Sequence, residues 1–305
     1  MLCAVVMKRI ERTAAIAMLI ALSGCKKEDL GKTGASSSAS SSLVSAPVPK
    51  EIGTKFTKKD PTVGDKRTQD EKSEMQLKIS MKKQSFEFAE QESTKCEEEI
   101  LEVSNGAVTK MRVTFAEDVK TKTEGSRASK PKSSAVAGKT YVVLAKDGKI
   151  NVLNSKDKPA SGPEARLVEN RYRTLGKPDE VIAAIGDRVL KEGDEVPELV
   201  RAIESELQPK DKKIDNKLTF AGTKVLFAGK EGDQGIFDVT VTMRVGGFMK
   251  MEVPLKGKLR ARLSDAHLAA FSVDGPINLE LQERDKKQGL EGNGTMKFAL
   301  NTAYP

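Results

Sequence analysis

Tryptophan is absent from this chain, histidine occurs once, cysteine three times, and aromatics make up 4% of its 305 residues. A multi-histidine metal centre and a cysteine-rich zinc module are excluded by count alone. A disulfide scaffold is excluded with them. Catalytic spacings are missing as well. Gly138-Lys139-Thr140 and Gly31-Lys32-Thr33 end like a phosphate-binding loop. The glycine required five residues earlier is replaced by Ser133 and Lys26. No G-x-S-x-G elbow surrounds a serine. The lone His267, with Asp265, Ser264 and Ser272 nearby, reads as a loop or strand-edge histidine rather than a catalytic base. The acidic run Glu97-Glu98-Glu99 reads as a solvated edge, since adjacent strand residues point to opposite faces. The expectation is a protein that is not an enzyme and carries no metal or cofactor.

What is present begins at the N-terminus. Lys8, Arg9 and Arg12 precede the ten-residue apolar run Thr13–Leu22. That run is too short for a helix across a bilayer, which needs about 20 residues. A charged start, a short apolar stretch and then small residues form the grammar of a signal peptide. Translation from Met7 rather than Met1 gives the more ordinary form of it, and removes Cys3. The segment closes on Leu22-Ser23-Gly24-Cys25. It resembles the lipobox of bacterial lipoproteins: an apolar residue, two small residues and a cysteine. The resemblance implies cleavage by signal peptidase II between Gly24 and Cys25. It also implies a diacylglycerol on the Cys25 thiol and an acyl chain on its new amino group. Each buried methylene contributes about 0.8 kcal/mol, so two or three chains anchor firmly where one does not. The position after the cysteine is Lys26, not Asp. In the enterobacterial pattern this favours the outer over the inner membrane. An ordinary secreted protein with a chance cysteine is the simpler alternative.

Removal of residues 1–24 takes three cations and one glutamate from a net charge of +8, leaving +6. That balance favours acidic surfaces. Cys96 is then the one unmodified thiol, and its strand-like surroundings suit a buried small apolar residue. Residues 25–61 read as a lipid-anchored, flexible Ser/Lys-rich tether, with its serine run from Ser36 to Ser42, Pro47 and Pro49. Its lysines suit either solubility or an anionic surface.

Residues 62–305 read as one β-rich domain. Apolar residues alternate with polar ones at 75–81, 111–115, 237–245, 249–255, 259–263, 277–281 and 296–300, the mark of antiparallel strands wet on one face. Asn105-Gly106 and Asp147-Gly148 suit type I′ hairpins, and Gly246-Gly247 and Asp274-Gly275 suggest further turns. Helical periodicity covers 163–208, punctuated by Pro163, Pro178, Pro197 and Pro209. Gly64-Asp65 and Gly193-Asp194 each precede a new segment, hinting at two related halves without establishing a repeat. The expected fold is mostly β with a helical insertion (α+β): a curved antiparallel sheet of about ten strands, with two or three helices on its apolar face. In outline this is similar to the half-barrels of lipoprotein carriers, which hold acyl chains; the likeness rests on no motif. A β-sandwich with the helices outside is the alternative.

Two features bear on binding. Lys256, Lys258, Arg260 and Arg262 share one strand face and form a stripe of about 20 Å. It suits either cross-strand pairing or contact with an anionic surface. No aromatics interleave with it, which argues against nucleic acid. Methionines at 75, 81, 111, 243, 249, 251 and 296 occupy inward positions, pliable enough either to accept an apolar ligand or to fill gaps in a core. The reading is a membrane-anchored extracytoplasmic lipoprotein, non-catalytic, that binds an acyl chain or other apolar ligand. The alternative is a structural or interaction lipoprotein of the cell envelope with a solid core. The sequence names no protein partner.

Overall fold

The computed structural model describes residues 53–81, 84–125, 127–208, 217–246, 250–280 and 290–305. Gly24, Cys25 and the tether up to residue 52 lie outside them, as do Met249 and Gly247. An N-terminal series of strands comprises β1 (Thr54–Lys55), β2 (Lys66–Met81), β3 (Gln84–Ser104), β4 (Ala107–Glu124), β5 (Arg127–Ala128), β6 (Lys132–Ser133), β7 (Thr140–Lys146) and β8 (Lys149–Asn154). Then come α1 (Gly162–Arg171), α2 (Glu180–Ile185), the short β9 (Val189–Leu190) and α3 (Leu199–Leu207). A second series follows: β10 (Lys217–Glu231), β11 (Gln234–Gly246), β12 (Lys250–Arg262), β13 (Leu268–Glu280) and β14 (Leu290–Ala303).

The strands make one open antiparallel sheet in the order β10-β11-β12-β13-β14-β2-β3-β4-β7-β8, with β5 and β6 paired to β4. Two meanders are therefore joined edge to edge where the last strand, β14, lies beside β2. The helices carry the chain from β8, at one edge of this sheet, to β10, at the other. They lie on the apolar face, as expected, and contribute to two apolar clusters. The larger joins β2 and β10–β14 to α2 and α3. The smaller joins β3, β4, β7 and β8 to α1.

Local chemistry explains most elements. Asn105 and Gly106 both have positive φ, as do Asp147 and Gly148, so the two expected hairpin turns form where the dipeptides stand. Asp179 caps α2 by accepting from the N–H groups of Val181 and Ile182 at 2.9 and 3.1 Å. Asp274-Gly275 is not a turn: it lies inside β13. A Cβ on Gly275 would stand 2.0 Å from the Pro254 carbonyl oxygen, and one on Gly257 1.8 Å from that of Ser272. Both glycines serve a close approach of neighbouring strands.

The fold also starts earlier than the expected boundary at residue 61. β1 pairs with β9, and Phe56 is fully buried. Its ring packs against Phe227 and Phe237 with centroids 5.9 and 5.8 Å away. Lysines at 55, 58 and 59 conceal this anchor in the sequence.

The two Gly-Asp pairs occupy the same local structure. The Asp65 carboxylate accepts from Thr62 N–H at 2.8 Å, and that of Asp194 from Lys191 N–H at 2.8 Å. Gly64 N–H donates to Ile100 O, whose residue returns a bond to Asp65 O; Gly193 and Asp194 make the same pair of bonds with Phe227. A bulge follows both Ile100 and Phe227. The two Gly-Asp pairs thus share a local turn, one just before β2 and the other between β9 and α3.

Candidate functional site

A cavity of about 480 Å³ lies between sheet and helices, at the end of the sheet where β2 begins and β14 finishes. Leu259, Phe271 and Leu300 line it from the sheet, and Val181, Ile182 and Ile203 from α2 and α3. It occupies the seam between the two apolar clusters, and it is polar where the seam is polar.

Inward alternation places Arg67 of β2 opposite Glu98 of β3. Arg67 Nε donates to Glu98 Oε2 at 2.5 Å, and Tyr172 Oη donates to Glu98 Oε1 at 2.7 Å. The Glu98 side chain is 1% exposed. Burial alone would raise its pKa, but the Arg67 charge and the two hydrogen bonds hold it below the usual carboxylate range. Arg67 is 31% accessible although it lies deep, because it faces the cavity. Cys96 Sγ sits 3.7 Å from Tyr172 Oη. Burial, with the Glu98 charge second, pushes the thiol up to about 11, so it is protonated and unreactive near neutrality. Beside this group, Arg171 of α1 pairs with Glu71 of β2 at 2.9 Å.

The opposite wall is built from the β12–β13 loop and the C-terminal end of β14. Arg262 Nε donates to Asp265 Oδ1 at 3.0 Å, and its guanidinium lies 4.0 Å from the centroid of the Tyr304 ring. Burial raises the Asp265 carboxyl, yet hydrogen bonds from Arg262 and from the His267 backbone keep it low overall. The Tyr304 hydroxyl donates to Leu268 O at 3.1 Å, and burial pushes it up to about 12. His267 stands 3.2 Å from Asp265 through Nδ1 and 5.4 Å from Tyr304, ring to ring. It is indeed in a loop, and it also lines the cavity. Among the described residues, no group of three or more His, Cys, Asp or Glu side chains is placed to hold a metal ion.

Lys256, Lys258, Arg260 and Arg262 share a face of β12, as the alternation requires. The stripe is not a free cationic surface. Lys258 pairs with Asp238 at 3.2 Å, Arg260 with Glu231 at 2.5 Å, and Arg262 turns into the cavity wall. Met75, Met243 and Met251 are buried in the larger cluster, and among the described methionines Met111 lines the cavity. The reading of Glu97-Glu98-Glu99 as a solvated edge fails at Glu98, which is buried, and sequence reasoning missed Arg67, Tyr172 and Tyr304. Glu98 was within reach: it lies two residues from Cys96, and strand parity puts both on the inner face.

No family model matches the chain, and no curated protein matches it. A solved structure described as lipid–protein interactions in lipovitellin aligns with 80% of this chain and 25% of its own, at 7% identity and a TM-score of 0.36. The chain thus spans about a quarter of that protein's length, and a likeness at this level carries no functional argument. No helix among the described residues is long and apolar enough to cross a membrane.

Proposed function

We propose that this protein is a lipid-anchored, extracytoplasmic and non-catalytic binding module whose cavity takes an acyl chain or a comparable apolar group. The observation that supports the reading is the cavity itself. Its 480 Å³ falls within the range of roughly 300–1,000 Å³ typical of small-molecule sites, and apolar side chains from sheet and helices converge on it. A solid interaction module has no use for such a space. Arg67 and Glu98, and Arg262 and Asp265, are paired there, and the Tyr172 and Tyr304 hydroxyls are held protonated, an arrangement suited to holding a ligand rather than to nucleophilic attack. Attachment is supported by the resemblance of Leu22-Ser23-Gly24-Cys25 to a lipobox, and Lys26 in place of Asp favours the outer membrane.

The two parts are tested separately. Native mass spectrometry of the mature chain carrying Cys25→Ser, purified without detergent, is expected to show a co-purifying lipid that Ile203→Trp removes. A protein free of bound lipid, and unable to take one up, removes the binding reading. Globomycin is expected to block processing of the wild-type precursor, and Cys25→Ser to release the protein from membranes. Unchanged membrane attachment removes the anchoring reading and leaves the cavity untouched.

A further inference from the structure

Resting on that reading, we infer that the ligand is a neutral amphiphile with a hydroxylated head, an acylated polyol, rather than a free fatty acid. The inference comes from the charges that line the cavity. Five lysines and arginines face six aspartates and glutamates there. The deep ones are already engaged, Arg67 with Glu98 and Arg262 with Asp265, and the exposed Asp179 caps α2. No deep lysine or arginine among the described residues is left over for an acid head. A carboxylate or phosphate on the outer N–H groups of Arg67 would crowd a second anion beside Glu98 around one guanidinium, with no further deep lysine or arginine to offset it, which is unfavourable.

A hydroxyl group has no such difficulty, because it both donates and accepts. The guanidinium of Arg67 carries five N–H groups, and Nε is the one bonded to Glu98. Its remaining donors border the cavity, one of them engaged with the Tyr304 hydroxyl, beside the Glu98 carboxylate and the Tyr172 hydroxyl. The donors and acceptors gathered around Arg67 match vicinal hydroxyls without disturbing any ion pair. The apolar lining, Val181, Ile182 and Ile203 from the helices and Leu259 and Phe271 from the sheet, suits the chain. A cationic head is disfavoured for the same reason as an anionic one: the deep carboxylates are also taken.

The test compares heads on one chain length. The mature chain carrying Cys25→Ser is loaded at pH 8 with the neutral dye N-phenyl-1-naphthylamine and titrated with monolaurin, laurate or dodecyltrimethylammonium. Monolaurin is expected to displace the dye at a concentration at least tenfold lower than either charged amphiphile. Equal or stronger displacement by laurate or by the ammonium overturns the inference while leaving a binding cavity intact. If no amphiphile displaces the dye, or no dye is taken up, the binding reading itself fails. Ile203→Trp and Ile182→Trp, each checked for a native thermal transition, are expected to abolish uptake. Unchanged uptake in a folded variant places the dye elsewhere and overturns the assignment to this cavity.

Discussion

Arg67 and Glu98 face each other across β2 and β3 at a point where an apolar pair would be the simplest choice. Removing one partner of a buried ion pair costs about 3–5 kcal/mol, whereas replacing both with apolar groups is often close to neutral. The lower figure applies here, since Arg67 borders the cavity. Arg67→Met and Glu98→Leu are each expected to lower stability by about 3 kcal/mol, and the double variant by clearly less than their sum, as read from urea unfolding. The pair also sets an acid limit. A carboxylate held below its ordinary pKa stabilises the fold above the unfolded value, about 4.3 for glutamate, and that contribution is lost as pH falls through the lower folded value. The melting temperature of the wild type is expected to fall more steeply than that of the double variant as pH drops below about 4.3. Parallel decline in the two would show that Glu98 gains nothing from its partners in the folded state. This site was only partly legible in the sequence. Parity could have turned Glu98 inward, but the partners Arg67 and Tyr172 lie 31 and 74 residues away, and no local pattern joins them.

At the scale of elements, alternation and turn chemistry made the strands readable, because both are properties of a few consecutive residues. The two type I′ hairpins and the three helices followed from the same local rules. Asp274-Gly275 was misread for an equally physical reason: a glycine that permits a turn and one that permits two backbones to touch are the same residue in a sequence. Gly257 is the clearer case. Alanine there would bring its Cβ within 1.8 Å of the Ser272 carbonyl oxygen, on the neighbouring strand, so β12 and β13 would have to part. Gly257→Ala is expected to cost about 3 kcal/mol, the upper end of the overpacking range. Gly162→Ala has open space around its Cβ and no left-handed φ, and should stay within about 0.5 kcal/mol of the wild type. Equal midpoints for the two variants in urea would refute a tight approach of the strands at Gly257.

The molecule as a whole is held together by contacts that no local reading supplies. β14 pairs with β2 from Leu290↔Met81 to Ala303↔Thr68, joining the two meanders along their length. Met75, Leu77 and Ile79 of β2 belong to the cluster built mainly by the second meander. Arg171 and Tyr172, at the end of α1, bind Glu71 and Glu98 on β2 and β3. Neither meander is complete alone. Unfolding is therefore expected to be a single transition, and the composition provides a probe for it. In a mature chain carrying Cys25→Ser, Cys96 is the one thiol, buried in the smaller cluster and protonated up to about pH 11. It becomes reactive only when that cluster opens. Reaction with a thiol reagent at pH 8, followed across a urea series, should track the loss of sheet signal in far-ultraviolet circular dichroism, most of which lies outside that cluster. Thiol exposure at a lower urea concentration than loss of the sheet would show the N-terminal meander opening by itself. The polar seam would then be a hinge between two independently stable parts.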